Sequence, residues 1–225
     1  MIQVATLDSR HEGVLIPRVR SQIFRYFLCS PSTPSLPVLI SSTDIRTPKV
    51  IQLTSISSKS EIVWWIDGTK QQFRILADVY VVPEPQNNLY SHFQKALAEA
   101  RIGCGLFTLK NEDWEKRRVE LFRSMSPAMK ASWCRPTPAA RLEGGEWPET
   151  IVEPDEQHMD KEEYETAKNL WEMALGNFAL MIVDPIEVDF VDLGVTPNFR
   201  SLFKQRVHGV VGNNNVEWDE EENVP

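Results

Sequence analysis

The chain has 225 residues, of which 42% are hydrophobic and 25% are charged, a composition typical of a soluble globular protein with room for one large domain. Its formal net charge of −8 argues against nonspecific nucleic-acid binding, which depends on many lysines and arginines that neutralise phosphates. The three cysteines form no C-x-x-C pair, which argues against a metal knuckle or a redox pair.

The residues after Met1, I-Q-V-A-T-L-D, lack the basic start and the long apolar core of a signal peptide. The longest apolar run, near residues 178–183, is far too short to span a bilayer. We therefore expect a cytoplasmic protein with no membrane partner and, given its charge, no nucleic-acid partner.

Strand-like segments dominate the part of the chain before Pro83. Polar turns at Asp8–Gly13 and Asp67–Gly68 and a loop rich in Pro and Ser at Cys29–Pro37 separate these segments. Asp44 is placed to cap a short helix that runs through Leu53. Consecutive antiparallel strands of this kind tend to close into a barrel. The predicted strands are Ile2–Leu7, Val14–Phe27, Leu36–Ser42, Glu61–Ile66 and Gln71–Val82.

The segment at about 87–175 is predicted to be a helical and loop insertion. Apolar residues recur at helical spacing in Asn87–Ala100, Asn111–Met125 and Glu162–Leu175. Residues 127–154 are rich in Pro, Gly and charge, which predicts an irregular loop.

The last part of the chain returns to the strand pattern. Strands are predicted at Asn177–Val183 and Glu187–Leu193, broken at Asp184-Pro185, and at Phe199–Val207. An acidic tail follows at about 208–225, in which Val216 and Trp218 could add a short strand. The whole pattern predicts a mainly β fold with helices (α+β), in one domain that spans 1–225.

Basic and amide side chains lie within the predicted strands, where they could bind a phosphorylated heterocycle. Arg18, Arg20 and Gln22 alternate and therefore share one face, whereas Arg25 falls on the other. Lys49 stands at the start of the short helix, where the backbone N–H groups favour an anion, so Arg20 and Lys49 could converge on one phosphate. The alternative is that these are ordinary charges on the wet face of an antiparallel sheet.

Four motifs occur in an order that is typical of one family. They read P-R-V-R-S-Q-I-F-R-Y-F, T-D-I-R-T-P-K-V, W-W-I-D-G-T-K-Q-Q-F-R and, later, N-F-A-L-M-I-V-D-P-I-E-V-D-F-V-D-L. This series resembles the pyridoxamine phosphate oxidase-like flavoproteins, a split-barrel family that binds FMN, and within it the subgroup of uncertain substrate. The resemblance runs from residue 2 to about residue 206, with the loops poorly matched.

The resemblance implies an FMN-binding, antiparallel split β-barrel with peripheral helices, and a homodimer in which both chains contact each FMN. It assigns the FMN phosphate to Arg20 and Lys49, with Thr47 capping the anion. It further implies that Ser21, Gln22 and Ile23 line the isoalloxazine, that Ser42 and Thr43 lie beside the ribityl chain, and that Gln72 reaches the ring.

The chain also departs from the family pattern. Pro48 replaces the central Arg of the family's Ser-Arg-Lys phosphate motif, and Arg46 could substitute for it. The family's late Trp and its Arg-x-His element correspond here to Val191, Pro197 and Phe199, with Arg200 as a remnant. FMN binding is therefore expected more strongly than oxidation of vitamin B6.

Three hypotheses follow. The first is an FMN-dependent oxidoreductase that acts on an unknown small-molecule substrate, with Arg25 at the substrate-facing position, no catalytic acid or base assigned and no metal. The second is a relative that binds FMN or another heterocycle without catalysis. The third is a dimeric scaffold that has lost the cofactor.

Overall fold

The structure is a computed structural model that describes residues 1–11, 14–141, 144–206 and 218–225. Its strands are β1 (Ile2–His11), β2 (Val14–Gln22), β3 (Phe24–Leu28), β4 (Val38–Asp44), β5 (Lys59–Ile66), β6 (Gln71–Val82), β7 (Phe178–Asp192), β8 (Phe199–Gln205) and β9 (Trp218–Asn223). Its helices are α1 (Pro48–Ile51), continued by a π-helix (Gln52–Ile56), α2 (Tyr90–Ala98), α3 (Gly105–Thr108), α4 (Trp114–Arg123), α5 (Pro127–Ala131), continued by a 3₁₀ turn (Ser132–Cys134), and α6 (Lys161–Asn177).

The strands form one mostly antiparallel sheet in the order β2-β1-β5-β6-β7-β4-β3, and β8 and β9 extend it beyond β7. The two ends of this order, β2 and β3, follow one another in the chain, but the described residues do not pair them, so the sheet is not closed. The predicted α+β, antiparallel split-barrel fold with peripheral helices is confirmed. The predicted series of consecutive antiparallel strands is incomplete, because β7 lies between β6 and β4.

Strand β7 is buried on both faces and separates two hydrophobic cores. Ala179, Met181 and Val183 point into the curled sheet, where they pack with residues of β1, β5 and β6. The alternate residues, among them Leu180 and Ile182, point outward and pack beneath the helices. This is why the segment reads as a continuous apolar run and not as an alternating one.

The predicted strand Val14–Phe27 is wrong as a single element, because it is interrupted at Ile23, between β2 and β3. The predicted capping residue of the short helix is also wrong. Thr47 stands at the N-cap position with Pro48 in the first turn, whereas the Asp44 carboxylate accepts hydrogen bonds from Arg46.

The predicted break at Asp184-Pro185 is wrong, because β7 runs through both residues. A register shift between Leu76 and Ala77 of β6 absorbs the proline, which has no N–H to donate. The predicted strand Gln71–Val82 has the observed bounds. The segment 127–154 is not wholly irregular, since it begins with α5 and the 3₁₀ turn, and α3 was not predicted.

None of the described helices is both long and apolar enough to cross a membrane. Parts of several predicted features lie outside the described residues, namely Gly13 of the first turn, Val207 at the end of a strand and Val216 of the acidic tail. Within the described part of that tail, the predicted last strand is present as β9.

Candidate functional site

Two adjoining cavities lie where β2, β4 and α1 meet, and Lys49 lines both of them. We call the first the arginine cavity; it has a volume of about 260 Å³. We call the second the amide cavity; it has a volume of about 350 Å³. The arginine cavity is lined by Arg20, Thr47 and Lys49 among others, and the amide cavity by Ser21, Gln22, Ile23, Ser42, Thr43 and Lys49 among others. The fold thus brings together all the residues predicted for the cofactor site except Gln72.

Arg20 is held in the arginine cavity by two buried neutral side chains. Its Nη1 donates to Thr6 Oγ1 at 2.6 Å, and its Nη2 donates to Gln52 Oε1 at 3.0 Å. The Thr6 hydroxyl in turn donates to Gln52 Oε1 at 2.6 Å. Burial lowers the pKa of Arg20, and the charge of Asp8 opposes that shift. Thr6 and Gln52 were not predicted, because their role depends on how β1 and the π-helix pack together.

Lys49 connects the two cavities through Gln22. Its Nζ donates to Gln22 Oε1 at 3.1 Å, and Gln22 Nε2 donates to the backbone carbonyl of Ser42. Burial and the nearby charge of Arg20 lower the pKa of Lys49 to about 8, and Asp44 opposes them. Within the described residues, neither Lys49 nor Arg20 forms an ion pair with a carboxylate.

Arg25 lines the amide cavity together with Gln22, although strand alternation predicts opposite faces for these two side chains. The break at Ile23 turns β3 away from the line of β2, and the alternation of β2 does not continue into β3. The Arg25 guanidinium donates to Ser42 Oγ, from Nε at 3.2 Å and from Nη2 at 3.1 Å. Its Nη2 also lies 3.3 Å from Met129 Sδ. Burial lowers its pKa.

Helix α5 and its 3₁₀ turn cover the amide cavity, which the sequence did not predict. Met129, Ser132 and Trp133 all line it. The Trp133 indole donates to the Thr43 carbonyl at 3.4 Å, and the Trp133 carbonyl accepts from Asn177 Nδ2 at 2.9 Å. The one local signal was Ser126-Pro127, an N-cap followed by Pro at the first helical position.

Arg46 does not supply the charge that Pro48 lacks. Its guanidinium donates to both carboxylate oxygens of Asp44 and, at 3.3 Å, to the Trp133 carbonyl. Arg46 therefore links the end of β4 to the 3₁₀ turn that covers the amide cavity. It does not line the arginine cavity.

Gln72 and the residues that replace the family's late motif lie in another part of the sheet. Gln72 pairs with Trp65 on one side and with Val191 on the other. Arg200 donates twice to Asp189, at 3.0 Å from both Nε and Nη2. Burial raises the pKa of Asp189, but the hydrogen bond from Arg200 and the charge of Arg74 outweigh it and lower that pKa. Arg74, which shares a face with Gln72, is thus paired within the protein.

Residues 1–83 match a family model described as "Pyridoxamine 5'-phosphate oxidase, FMN-binding domain". This segment holds every residue for which a cofactor contact is predicted, Gln72 included. A search of the curated proteins returns no match to this sequence.

Among solved structures, the chain is similar to a pyridoxamine 5'-phosphate oxidase-related, FMN-binding protein from Nostoc punctiforme. The identity is 20%, the TM-score is 0.60, and the match covers 100% of this chain and 86% of that one. It is also similar, at 15% identity and a TM-score of 0.48, to PhzG from Burkholderia lata in complex with tetrahydrophenazine-1-carboxylic acid, with coverage of 100% and 81%.

At 20% identity the Nostoc punctiforme structure shows the fold of this chain, and the family model matches its first 83 residues. The predicted resemblance to the pyridoxamine phosphate oxidase-like family is therefore confirmed over residues 1–83, where the family model matches, and the Nostoc punctiforme structure shows the same fold over the whole chain.

Proposed function

We propose that this protein binds FMN across the two cavities, with the phosphate in the arginine cavity and the isoalloxazine in the amide cavity. The observation that carries the proposal is the pair of half-buried cations, Arg20 and Lys49, whose hydrogen-bond acceptors in the described residues are neutral. A buried charge without a counter-ion is costly, and a phosphate would supply one.

The chemistry of the donor set fits each part of FMN. The phosphate needs cations and hydroxyl groups, and Arg20, Lys49 and Thr47 line the same cavity. The ring needs amide and backbone groups between flat walls. Ser21, Gln22 and Ile23 form one side of the amide cavity, and Ser42 and Thr43 form another. Together the cavities fall within the size range of ordinary cofactor sites.

A bound flavin would supply the redox chemistry, and the residues of this chain would bind, orient and shield it. Met129 and Trp133 would exclude water from one side of the amide cavity. Arg25 would present a cation to an anionic group of the substrate, because it lines that cavity and has no carboxylate partner in the described residues. We therefore propose an FMN-dependent oxidoreductase of unknown small-molecule substrate, with no acid or base assigned.

A flavin-binding protein without catalysis is the second candidate. Pro197 and Phe199 stand where the family's substrate-handling Arg and His would be, and Arg200 is already bound to Asp189. Reduction of the bound flavin by NAD(P)H or a B6 vitamer separates the two candidates. A cofactor-free scaffold, to which Pro48 also points, would yield colourless protein that binds no flavin.

We also propose a homodimer, because Gln72 lines neither cavity of its own chain. Trp65 and Gln72 are directly paired and so lie on one side of the sheet, and Trp65 is 39% exposed. A second copy packed on this side would cover Trp65 and bring Gln72 towards the flavin bound by that copy. Sedimentation that shows a monomer at micromolar concentration would contradict this arrangement.

The first experiment is the absorbance spectrum of the purified protein, followed by titration of the flavin-free form with FMN. A flavin band, or binding at micromolar or lower concentration, supports the proposal. Folded, dimeric protein with neither a band nor binding would overturn it and would favour the scaffold.

A further inference from the structure

The arginine cavity holds more positive charge than the two predicted phosphate contacts supply. Arg10 of β1 and Arg18 of β2 line it beside Arg20 and Lys49. Asp8 is the one carboxylate among the described residues that line it. Four cationic side chains therefore line one cavity, and this setting favours an anion over a neutral ligand.

Asp8 orders the two additional arginines. Its carboxylate is fully buried and accepts hydrogen bonds from Arg10 Nε at 2.9 Å and from Arg10 Nη2 at 2.7 Å. The Arg18 Nε lies 3.5 Å from the same carboxylate. The Arg10 hydrogen bonds hold the pKa of Asp8 well below its usual range, so the carboxylate stays ionised. Arg10 and Arg18 are thereby fixed at the opening of the cavity, with side chains 56% and 43% exposed.

The loop after β4 contributes little charge to the same cavity. Pro48 lines it and carries none, and Arg46 is bound to Asp44 and to the Trp133 carbonyl. Apart from Lys49, the cationic side chains among the described lining residues therefore come from β1 and β2.

We propose that Arg18, with Arg10 held beside it by Asp8, completes the phosphate site in place of a cation at position 48. The inference rests on the proposed function and deepens it, because it names the recognised group as a phosphate monoester dianion. It predicts that Arg18 strengthens the binding of ligands that carry this phosphate and does not contribute to binding of the flavin ring. FMN and riboflavin, which differ in the phosphate alone, are the matched probes.

The test compares Arg18→Gln, Arg10→Gln and a control, Arg123→Gln, in the full-length protein. Arg123 is an exposed arginine of α4 that pairs with Glu153 and does not line either cavity. FMN and riboflavin are titrated against each variant by flavin fluorescence at two salt concentrations. We expect Arg18→Gln to weaken FMN binding by about tenfold, to leave riboflavin binding unchanged and to reduce the salt dependence of FMN binding.

Two further variants keep the test decisive if Arg18→Gln unfolds. Arg18→Lys keeps the charge but not the planar donor fork, so it should weaken FMN binding less than Gln does. Pro48→Arg places a cation in the lining at the start of α1 and should restore part of the affinity lost in the Arg18 variants. Thermal unfolding of each protein separates loss of binding from loss of the fold.

FMN affinity that is the same in Arg18→Gln and Arg123→Gln would overturn the inference and leave the proposed function standing. An equal loss for FMN and riboflavin would also overturn it, because the effect would then not involve the phosphate. Wild-type protein that binds neither flavin would overturn the proposed function and the inference together.

Discussion

Two regions of the molecule bury arginine or lysine side chains in opposite ways. Beneath the helices, Arg118 of α4 has a side chain only 1% exposed, and its donors are satisfied by the protein. Its Nε and Nη2 each donate to Glu115 at 2.8 Å, and its Nη1 donates to the carbonyls of Leu175 and Phe178. In the arginine cavity, Arg20 and Lys49 donate to neutral oxygens only, within the described residues.

This contrast separates cations that stabilise the fold from cations that are available to bind a ligand. Arg118 joins the C-terminal end of α6 to the start of β7 and is neutralised by Glu115, so the fold accounts for it. Arg20 and Lys49 are partly desolvated without a counter-ion, so the fold alone does not account for them. Substitution should therefore reduce stability in the first region and ligand affinity in the second.

The largest expected effect is on the stability of the helical region. Arg118→Met should lower the free energy of unfolding by about 3 kcal/mol, because two buried carbonyls lose their donor and Glu115 loses its partner. Urea denaturation followed by circular dichroism measures the change. Lys116→Met, an exposed position on the same helix, is the control and should change it by less than about 0.5 kcal/mol. A loss no larger than that of the control would show that Arg118 does not fasten α6 to β7.

Substitutions in the arginine cavity should change ligand affinity. Arg20→Ala or Lys49→Ala should weaken FMN binding by about 1–3 kcal/mol, roughly 5- to 150-fold, because each removes a charge-assisted phosphate contact. Calorimetric titration with FMN measures the affinity, and Arg123→Ala serves as the surface control. Unchanged affinity in both variants would remove the phosphate site from this cavity.

The pH dependence of FMN affinity should follow the titration of Lys49. The pKa of Lys49 is lowered to about 8 in the free protein by burial and by Arg20, with Asp44 opposing, and a bound phosphate would raise it. Binding should therefore be tightest below pH 8 and weaken above it, by up to about tenfold per pH unit until the raised pKa is reached. Titrations from pH 7 to 9.5 measure the slope. Lys49→Arg should flatten it, and an equal slope in both proteins would assign the dependence to another group.

The smallest expected effect is on the stability of the free protein. Since the lowered pKa of Lys49 makes its charged form unfavourable in the folded state, Lys49→Met should raise the free energy of unfolding, by less than about 1 kcal/mol. The unfolded lysine keeps its proton up to a pKa near 10.5, so the advantage of the variant should shrink as pH rises through 8. Urea denaturation at pH 7 and pH 9 tests this, and a variant that is less stable than the wild type at pH 7 would contradict it.

Local sequence signals located most of the strands and most of the cofactor-site candidates. The alternation of Arg20 and Gln22 was enough to place both side chains on one face, and they line adjoining cavities. No periodicity marks the interruption at Ile23 that separates β2 from β3. The local reasoning failed for Asp184-Pro185, because a register shift between β6 and β7 allows β7 to continue.

Local patterns in the chain are enough to predict the α+β class, the strand-rich first part and the motifs that resemble an FMN-binding family. The packing of the folded chain places β7 between β6 and β4, sets α5 over the amide cavity and brings Arg10 and Arg18 into a cavity with Lys49. The two kinds of feature differ because periodicity and capping act between residues close in the chain. Cavities and ion pairs instead depend on which distant elements pack together, and that choice follows from the burial of the whole core.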